Sequence, residues 1–396
     1  MRLARTQFQF VTHYNPQKAY NGYTLFAPNG AAYVWLIDME GRFVHRWEMP
    51  NRPGEYGVLL PNGNLLYAGK VIPGPLNEFG GFGGVLLEAD WDGNIVWKYE
   101  DLYQHHDFCR MNNGNIMILR WVSVPHDIAV RVEGGLPGTA HQGMIWADSF
   151  QEVTPTGEVV WEWLGYEHLD PAVDVICPLC PRSEWTHANA CFVLPNGDIL
   201  TTFRRTDTIA LIDRDTGDIK WRWGAAELAH PHDPTMLDNG NILVFDNGYH
   251  RKSLQPNYSR VAEVNPITGE IEWEYKDESP HHFYSSFVSG CQRLPNGNTL
   301  ICEGSVGRIF EVTAGGELVW EFISPFYYHM GSYGWINQIF RAYRYGPDYE
   351  GLRGKTLDPN RFEWVLQEKG NPEVTQVYTP PDKEKVVSDR LARLGY

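Results

Sequence analysis

The sequence predicts an all-β protein, a six-bladed β-propeller whose first blade is closed by a C-terminal strand. Two short phrases recur along the 396 residues, and their spacing matches one four-stranded blade. The apolar residues do not follow the 3.6-residue period of an amphipathic helix. These three observations exclude helical bundles and doubly wound α/β folds.

The first recurring phrase is an apolar residue, an Asn-Gly pair within a polar turn, and an immediate return to apolar residues. It occurs five times, at residues 60–66, 111–117, 194–200, 237–243 and 294–300. The Asn-Gly pair supplies the positive φ angles of a tight hairpin turn. Each copy therefore predicts a hairpin between two neighbouring strands.

The second phrase begins with Gly and ends with Trp, as in Gly93-Asn94-Ile95-Val96-Trp97. Its tryptophans lie 47 to 64 residues apart and are Trp47, Trp97, Trp161, Trp221, Trp273 and Trp320. Four short strands and their turns need about 40 to 50 residues. The sequence thus predicts six closing strands, with insertions around 122–142 and 167–183 in the two longest intervals.

The two ends of the repeated region predict how the ring closes. The first unit lacks an Asn-Gly hairpin, and the strand-like run 337–345 is left over at the other end. If this run completes the first blade, the ring has no open edge. We therefore expect an N-terminal extension at 1–20, a single propeller domain at 21–345 and a polar C-terminal tail at 346–396.

Charge and hydropathy limit the partners. Lys plus Arg number 33 against 49 Asp plus Glu, which gives a net charge of −16 and repels phosphate backbones and anionic lipids. No apolar run approaches the roughly 18 residues of a membrane span. We expect no nucleic-acid or membrane partner. The N terminus lacks the apolar core of a signal peptide, so we expect a cytoplasmic protein, or an exported one if a leader has been removed. The oligomeric state stays open.

Polar residues recur where each innermost strand of a propeller begins, facing the central channel. Nine residues before the Asn or Asp that follows each Asn-Gly turn lie Glu55, His106, Asn189, His232 and Ser289. Two residues earlier, on the same face of an extended chain, lie Pro53, Gln104, His187, His230 and Phe287. Four of the 14 histidines fall in this set. Polar residues at positions that should be apolar are typical of a functional site.

Arg204 lies at the repeat offset that Asn247 occupies in the next unit. Strand alternation sends the adjacent Arg205 to the other side, so we expect its replacement to be mild. Imidazoles, an amide and a guanidinium that converge on one point form a site for an oxyanion, with a His as nucleophile or acid/base. We expect a small aromatic or anionic substrate.

The His-Asp phrases, His187-x-Asn189, Arg204 and the run from His232 to Gly248 resemble the bacterial arylsulfate sulfotransferase family. In that family a six-bladed propeller moves a sulfuryl group between phenols through a sulfohistidine, without a nucleotide donor. The resemblance implies that His232 is the nucleophile and that His106, His187 and Arg204 hold the sulfuryl oxygens. Asn189 matches a position beside them. Asn247, Glu55 and His230 complete the predicted substrate-binding set, and no cofactor is expected.

Two other functions stay open. His106, His187 and His232 could bind a divalent metal ion on the axis, although a cation at Arg204 opposes this. A binding propeller without catalysis is the other alternative. Among the six cysteines, only Cys177 and Cys180 have metal or redox spacing, and no second CxxC completes a four-thiolate zinc site. We interpret this pair as a loop disulfide or two inert thiols.

Overall fold

The computed structural model describes residues 9–330 and 334–367. Six antiparallel sheets form a six-bladed β-propeller, as the sequence predicts. Five sheets have four strands, and the sixth has a fifth strand on its outer edge. The innermost strands of most neighbouring blades contact one another around the central channel.

The first three blades have the following strands, in order from the channel outwards. The first contains β29 (Ile339–Tyr345), β2 (Tyr23–Pro28), β3 (Tyr33–Ile37) and β4 (Phe43–Glu48). The second contains β5 (Pro53–Leu59), β6 (Leu65–Lys70), β7 (Gly84–Ala89) and β8 (Ile95–Glu100). The third contains β9 (Gln104–Arg110), β10 (Ile116–Ser123), β12 (Trp146–Val153) and β13 (Val159–Leu164).

The fourth blade contains β15 (Phe192–Val193), β16 (Ile199–Phe203), β17 (Thr208–Ile212) and β18 (Ile219–Trp223). The fifth contains β19 (His232–Met236), β20 (Ile242–Asp246), β21 (Arg260–Val264) and β22 (Ile271–Tyr275). The sixth contains β23 (Gly290–Arg293), β24 (Thr299–Glu303), β25 (Arg308–Val312), β26 (Leu318–Ile323) and the added β1 (Phe10–Tyr14).

The two predicted insertions meet in one small structure. Strand β11 (Gly134–Leu136) of the first pairs in parallel with β14 (Ile176–Pro181) of the second. A separate ribbon consists of β27 (Tyr328–His329) and β28 (Trp335–Ile336). The helices are short and span His126–Ala129, Gly165–His168, Arg204–Thr206, Gly304–Val306, Glu350–Leu352, Pro359–Phe362 and Glu363–Gln367. Within the described ranges, no helix has both the length and the apolar character to cross a membrane.

Strands near both ends of the chain pair with the blades of the ring. Strand β29 pairs with β2 from Tyr23 opposite Tyr345 onward, so the C-terminal run completes the first blade as predicted. At the N terminus, β1 pairs with β26 from Phe10 opposite Ile323. Residues 10–14 of the expected extension 1–20 therefore belong to the sheet, where β1 covers the outer edge of the sixth blade.

The segment after Tyr345 also differs from the expected polar tail. Leu352, Phe362 and Val365 are buried against the outer side of the propeller, and the Phe362 ring contacts Trp35 edge to face. Residues 346–367 thus cover apolar surface of the first blade. Residues 1–8 and 368–396 of the two predicted terminal segments lie outside the described residues.

Tryptophans of the closing strands join each blade to the next. Trp47 Nε1 donates to the Asp90 carbonyl at 3.0 Å, and Trp273 donates to the Ala314 carbonyl at 2.8 Å. Trp320 of the last blade donates to Met39 of the first at 2.8 Å. These tryptophans thus pack between two blades and also find a hydrogen-bond acceptor there.

Candidate active site

A cavity of about 410 Å³ lies at one mouth of the central channel. Its polar wall contains the predicted catalytic set His106, His187, Arg204 and His232. Its apolar wall contains the aromatic rings of Phe79, Phe82, Phe287, Tyr328 and Phe340. The structure therefore brings all four predicted catalytic side chains to one cavity, beside aromatic surface.

His232 begins β19, and its imidazole is held in one tautomer. Its Nδ1 lies 2.6 Å from Asn247 Oδ1. The Asn247 amide nitrogen donates to the carbonyls of Ser285 and Val288 at 2.8 and 2.9 Å, which fixes the orientation of the amide. Since Oδ1 can only accept, His232 Nδ1 carries the proton and Nε2 keeps a free lone pair.

Burial and, after it, the positive charge of Arg204 hold the pKa of His232 well below its ordinary value. The imidazole is therefore neutral near pH 7. A neutral imidazole whose Nε2 lone pair is free is a competent nucleophile.

His187 is oriented by a buried carboxylate. Its Nδ1 lies 2.7 Å from Glu184 Oε2, and Glu184 also accepts from Trp121 Nε1 at 3.0 Å and Arg205 Nη2 at 2.8 Å. Burial opposes ionisation of Glu184, but His187 and Arg205 together hold its pKa below the ordinary value. Burial lowers the pKa of His187, and the carboxylate opposes that shift. Of the three axial imidazoles, His187 alone has a carboxylate hydrogen-bonded to its ring within the described chain.

His106 is held through a second histidine. Its Nδ1 lies 2.8 Å from Nδ1 of His105, whose Nε2 lies 3.2 Å from Asp148 Oδ1. Burial, reinforced by His187, holds the pKa of His106 well below its ordinary value. The ring centroids of His106 and His187 are 4.6 Å apart. Gly81, at φ +81°, faces this ring so closely that a Cβ would lie 2.1 Å from it.

Arg204 and Arg205 separate at the short helix that follows β16. Among the described residues Arg204 forms no ion pair with a carboxylate; its Nη2 lies 3.5 Å from the Ser286 carbonyl, and its Cζ lies 5.9 Å from the Tyr249 ring centroid. Arg205 points away and pairs with Glu184. The cavity therefore holds a cation that is available to an anionic ligand.

The expectation that replacement of Arg205 is mild does not fit these contacts. Arg205 is buried, and besides Glu184 its guanidinium donates to the Pro181 carbonyl at 2.6 Å. Its loss would leave the Glu184 carboxylate, which orients His187, without its cation. Arg205 is therefore a positioning residue for His187.

Of the four predicted substrate-binding residues, one lines the cavity and three do not. Glu55 lines the cavity. Asn247 holds His232, and Asn189 is used by the backbone and a neighbouring hydroxyl: its Nδ2 donates to the Pro231 carbonyl at 2.9 Å, and Oδ1 accepts from Thr202 Oγ1 at 2.5 Å. His230 is not among the residues that line the cavity, and its Nε2 lies 3.0 Å from Cys180 Sγ instead. Asn189, Asn247 and His230 thus lie outside the set of residues that line the cavity.

The axial histidines do not form a compact metal-ligand set in the described part of the chain. There, the one group of three or more ligand-type side chains whose donor atoms lie within 4.8 Å of one another contains Cys177, Cys180, His230 and His250. All six cysteines are free thiols. The sequence-based search did not find this group, because its two halves come from an insertion and from the fifth blade.

Sequence reasoning also missed several residues around the axial imidazoles. Glu184 lies three positions before His187, and His105 directly precedes His106. Their proximity in sequence could have suggested a supporting role. The loop 77–82 lines the cavity, and the glycine run from Gly80 to Gly84 that overlaps it is a sequence sign of close backbone approach.

Residues 58–325 match the family model described as arylsulfotransferase (ASST). No curated protein matches the chain. Similar solved structures include a protein of unknown function from Bacteroides caccae, with 14% identity and a TM-score of 0.51 over 81% of this chain and 98% of that one. A streptogramin B lyase has 14% identity and a TM-score of 0.45 over 80% and 86% of the two chains. At 14% identity the Bacteroides caccae structure indicates the fold alone.

Proposed function

The chain belongs to the arylsulfotransferase family, and on this basis we propose that it transfers a sulfuryl group from an aryl sulfate to a phenol through a sulfohistidine at His232. The observation that carries the proposal is Arg204, a cation in the cavity with no carboxylate ion pair among the described residues. A sulfate ester is an anion whose oxygens gain charge during transfer, and a preorganised guanidinium stabilises that charge.

In the first half-reaction, His232 Nε2 attacks the sulfur atom of the aryl sulfate. The N–S bond forms, and the bond between sulfur and the aryl oxygen breaks. The departing phenolate takes a proton from His187. Burial lowers the pKa of His187 and Glu184 opposes that shift, and the bound sulfate anion adds to the effect of Glu184. Arg204 donates hydrogen bonds to the sulfuryl oxygens, and His106 lines the cavity beside them.

In the second half-reaction, an acceptor phenol replaces the first phenol. It gives its proton to His187, its oxygen attacks the sulfur, and the N–S bond breaks. His232 returns to its neutral tautomer, which Asn247 holds ready throughout. No cofactor enters this sequence of steps.

The aromatic wall supports an aryl substrate. Phe287, Tyr328 and Phe340 line the same cavity as the histidines, and flat rings favour stacked or edge-to-face contact with other rings. A phenol bound against this wall would place its oxygen toward the polar side, where His232 and Arg204 lie.

With 4-nitrophenyl sulfate as donor and a phenol as acceptor, the wild type should produce the aryl sulfate of the acceptor. Arg204→Ala should lower kcat/KM. The loss should correspond to about 3 kcal/mol of transition-state stabilisation, which is the scale of one lost oxyanion donor. Arg204→Lys should recover only part of the loss, because an ammonium lacks the planar fork. Steady-state kinetics measure both.

The exposed Arg353→Ala variant is the matched control and should keep wild-type kinetics. Arg204→Ala with unchanged kcat/KM would contradict the role of this cation. Absence of transfer by the wild type from every aryl sulfate tried would contradict the proposed reaction.

The pH profile of kcat/KM tests the state of His232. Its neutral form is the nucleophile, and its pKa is held well below the ordinary value of about 6.5 by burial and Arg204. The rate should therefore fall only as the pH drops through this lowered pKa, so the acid limb lies below pH 6.5. Removing the cation in Arg204→Ala should move that limb to higher pH. An acid limb above pH 7 in the wild type would contradict the assignment.

A further inference from the structure

A second cluster of chemically active side chains lies outside the cavity. Strand β14 of the second insertion carries Cys177 and Cys180. They face His230, just before β19, and His250, in the loop after β20. Both thiols and His230 are buried, and His250 is half-buried.

The distances suit tetrahedral coordination. Cys180 Sγ lies 3.0 Å from His230 Nε2 and 3.7 Å from His250 Nδ1, and Cys177 Sγ lies 3.5 Å from His250 Nδ1. All four donor atoms lie within 4.8 Å of one another. Zinc bonds of about 2.3 Å to sulfur and 2.0–2.1 Å to nitrogen place such donors about 3.5 Å apart at tetrahedral angles. The observed separations bracket that value.

The other nitrogen of His230 supplies an independent observation. His230 Nδ1 lies 3.2 Å from Asp207 Oδ1, and the same oxygen accepts the His230 backbone N–H at 2.8 Å. A carboxylate on the far nitrogen of a histidine ligand fixes its tautomer and increases its basicity. Asp207 therefore leaves the Nε2 lone pair of His230 directed at Cys180.

The backbone is strained around this cluster. Asp207, His230 and His250 have φ angles of 55°, 59° and 62°, a region that non-glycine residues avoid. Such strain persists where the surroundings require it and is frequent at binding sites. At this cluster it accompanies the two histidines and the carboxylate, which come from three separate loops.

We propose that Cys177, Cys180, His230 and His250 bind one zinc ion in a closed structural site. Two thiolates and two neutral imidazoles complete a Cys₂His₂ set, leave no open position for a substrate and neutralise the charge of Zn²⁺. The ion would link the second insertion to the fifth blade. Pro181, next to Cys180, accepts a hydrogen bond from Arg205, so the linked insertion also contacts the residue next to Arg204. This proposal does not depend on the reaction at His232.

Metal content of the full chain, purified without chelators or added metal, tests the site. The wild type should contain one zinc per chain by inductively coupled plasma mass spectrometry. Cys177→Ser and His250→Ala should fall to background. Cys109→Ser and His281→Ala, which lie outside the cluster, should keep the metal. Cobalt(II) exchanged into the wild type should give the visible bands of a tetrahedral thiolate site.

Two exchange variants keep the test meaningful if removal of a ligand prevents folding. Cys177→His and His250→Cys each retain four ligands and should keep zinc and the wild-type fold. A wild type that lacks zinc and carries a Cys177–Cys180 disulfide, detected by thiol counting and peptide mapping, would overturn the proposal. Zinc that persists in both Cys177→Ser and His250→Ala would also overturn it. None of these measurements uses sulfuryl transfer, so failure of the proposed reaction would be seen separately.

Discussion

His232→Ala is expected to lower transfer from 4-nitrophenyl sulfate to a phenol by a factor on the order of 10³ or more, while the fold stays intact. In the proposed reaction, His232 Nε2 is the protein atom that bonds to sulfur. Asn247 holds Nδ1, so Nε2 is the nitrogen that attacks. Product formation under saturating donor and acceptor measures the loss, and circular dichroism checks the fold.

The exposed His281→Ala variant is the matched control and should retain full activity. Wild-type protein treated with donor alone should gain the mass of one SO₃ group on His232, and addition of a phenol should remove it. Turnover by His232→Ala above a few per cent of the wild type would rule out the nucleophile assignment. So would an SO₃ adduct that persists in this variant.

Deletion of residues 337–396 should make the protein insoluble or aggregated, because it removes the innermost strand of the first blade. Strand β29 carries Arg341, which pairs with Asp107 at 2.9 Å and Asp233 at 3.0 Å in the middle of the ring. It also carries Arg344, which pairs with the buried Glu311. Loss of one partner of a buried ion pair costs about 3–5 kcal/mol, against a typical total stability of about 5–15 kcal/mol.

Truncation after Gln367 is the control for this deletion and should leave a folded, soluble protein. Truncation after Lys355 should have an intermediate effect, since it removes the buried side chains of Phe362 and Val365 but keeps the sheet complete. Soluble expression and thermal unfolding compare the three forms. Equal stability of the 337–396 deletion and the Gln367 truncation would show that β29 is not needed to close the ring.

The number of blades, and the convergence of the proposed catalytic residues on one cavity, could be predicted from the sequence alone. Asn-Gly turns fix the register of each inner hairpin, and the Gly-to-Trp phrases mark the outer strands; both depend on neighbouring residues only. Because every blade repeats the same geometry, one offset from each turn leads to the channel mouth. Counting was therefore enough to predict that His106 and His232, nine residues before that turn position, lie beside His187, eleven residues before it, with Arg204 found at a third offset.

Which of the polar residues face the ligand, and which support others, depends instead on the packing of the folded ring. Asn247 is polar and lies at the same repeat offset as Arg204, yet its amide is hydrogen-bonded to His232 and to two backbone carbonyls. Local sequence patterns did not predict the pairing of β1 with β26 or the assembly of the Cys₂His₂ cluster either, since each joins segments far apart in the chain. Local patterns specify turns and alternation. Contacts between remote loops depend on how all six blades pack together, which no short stretch of sequence encodes.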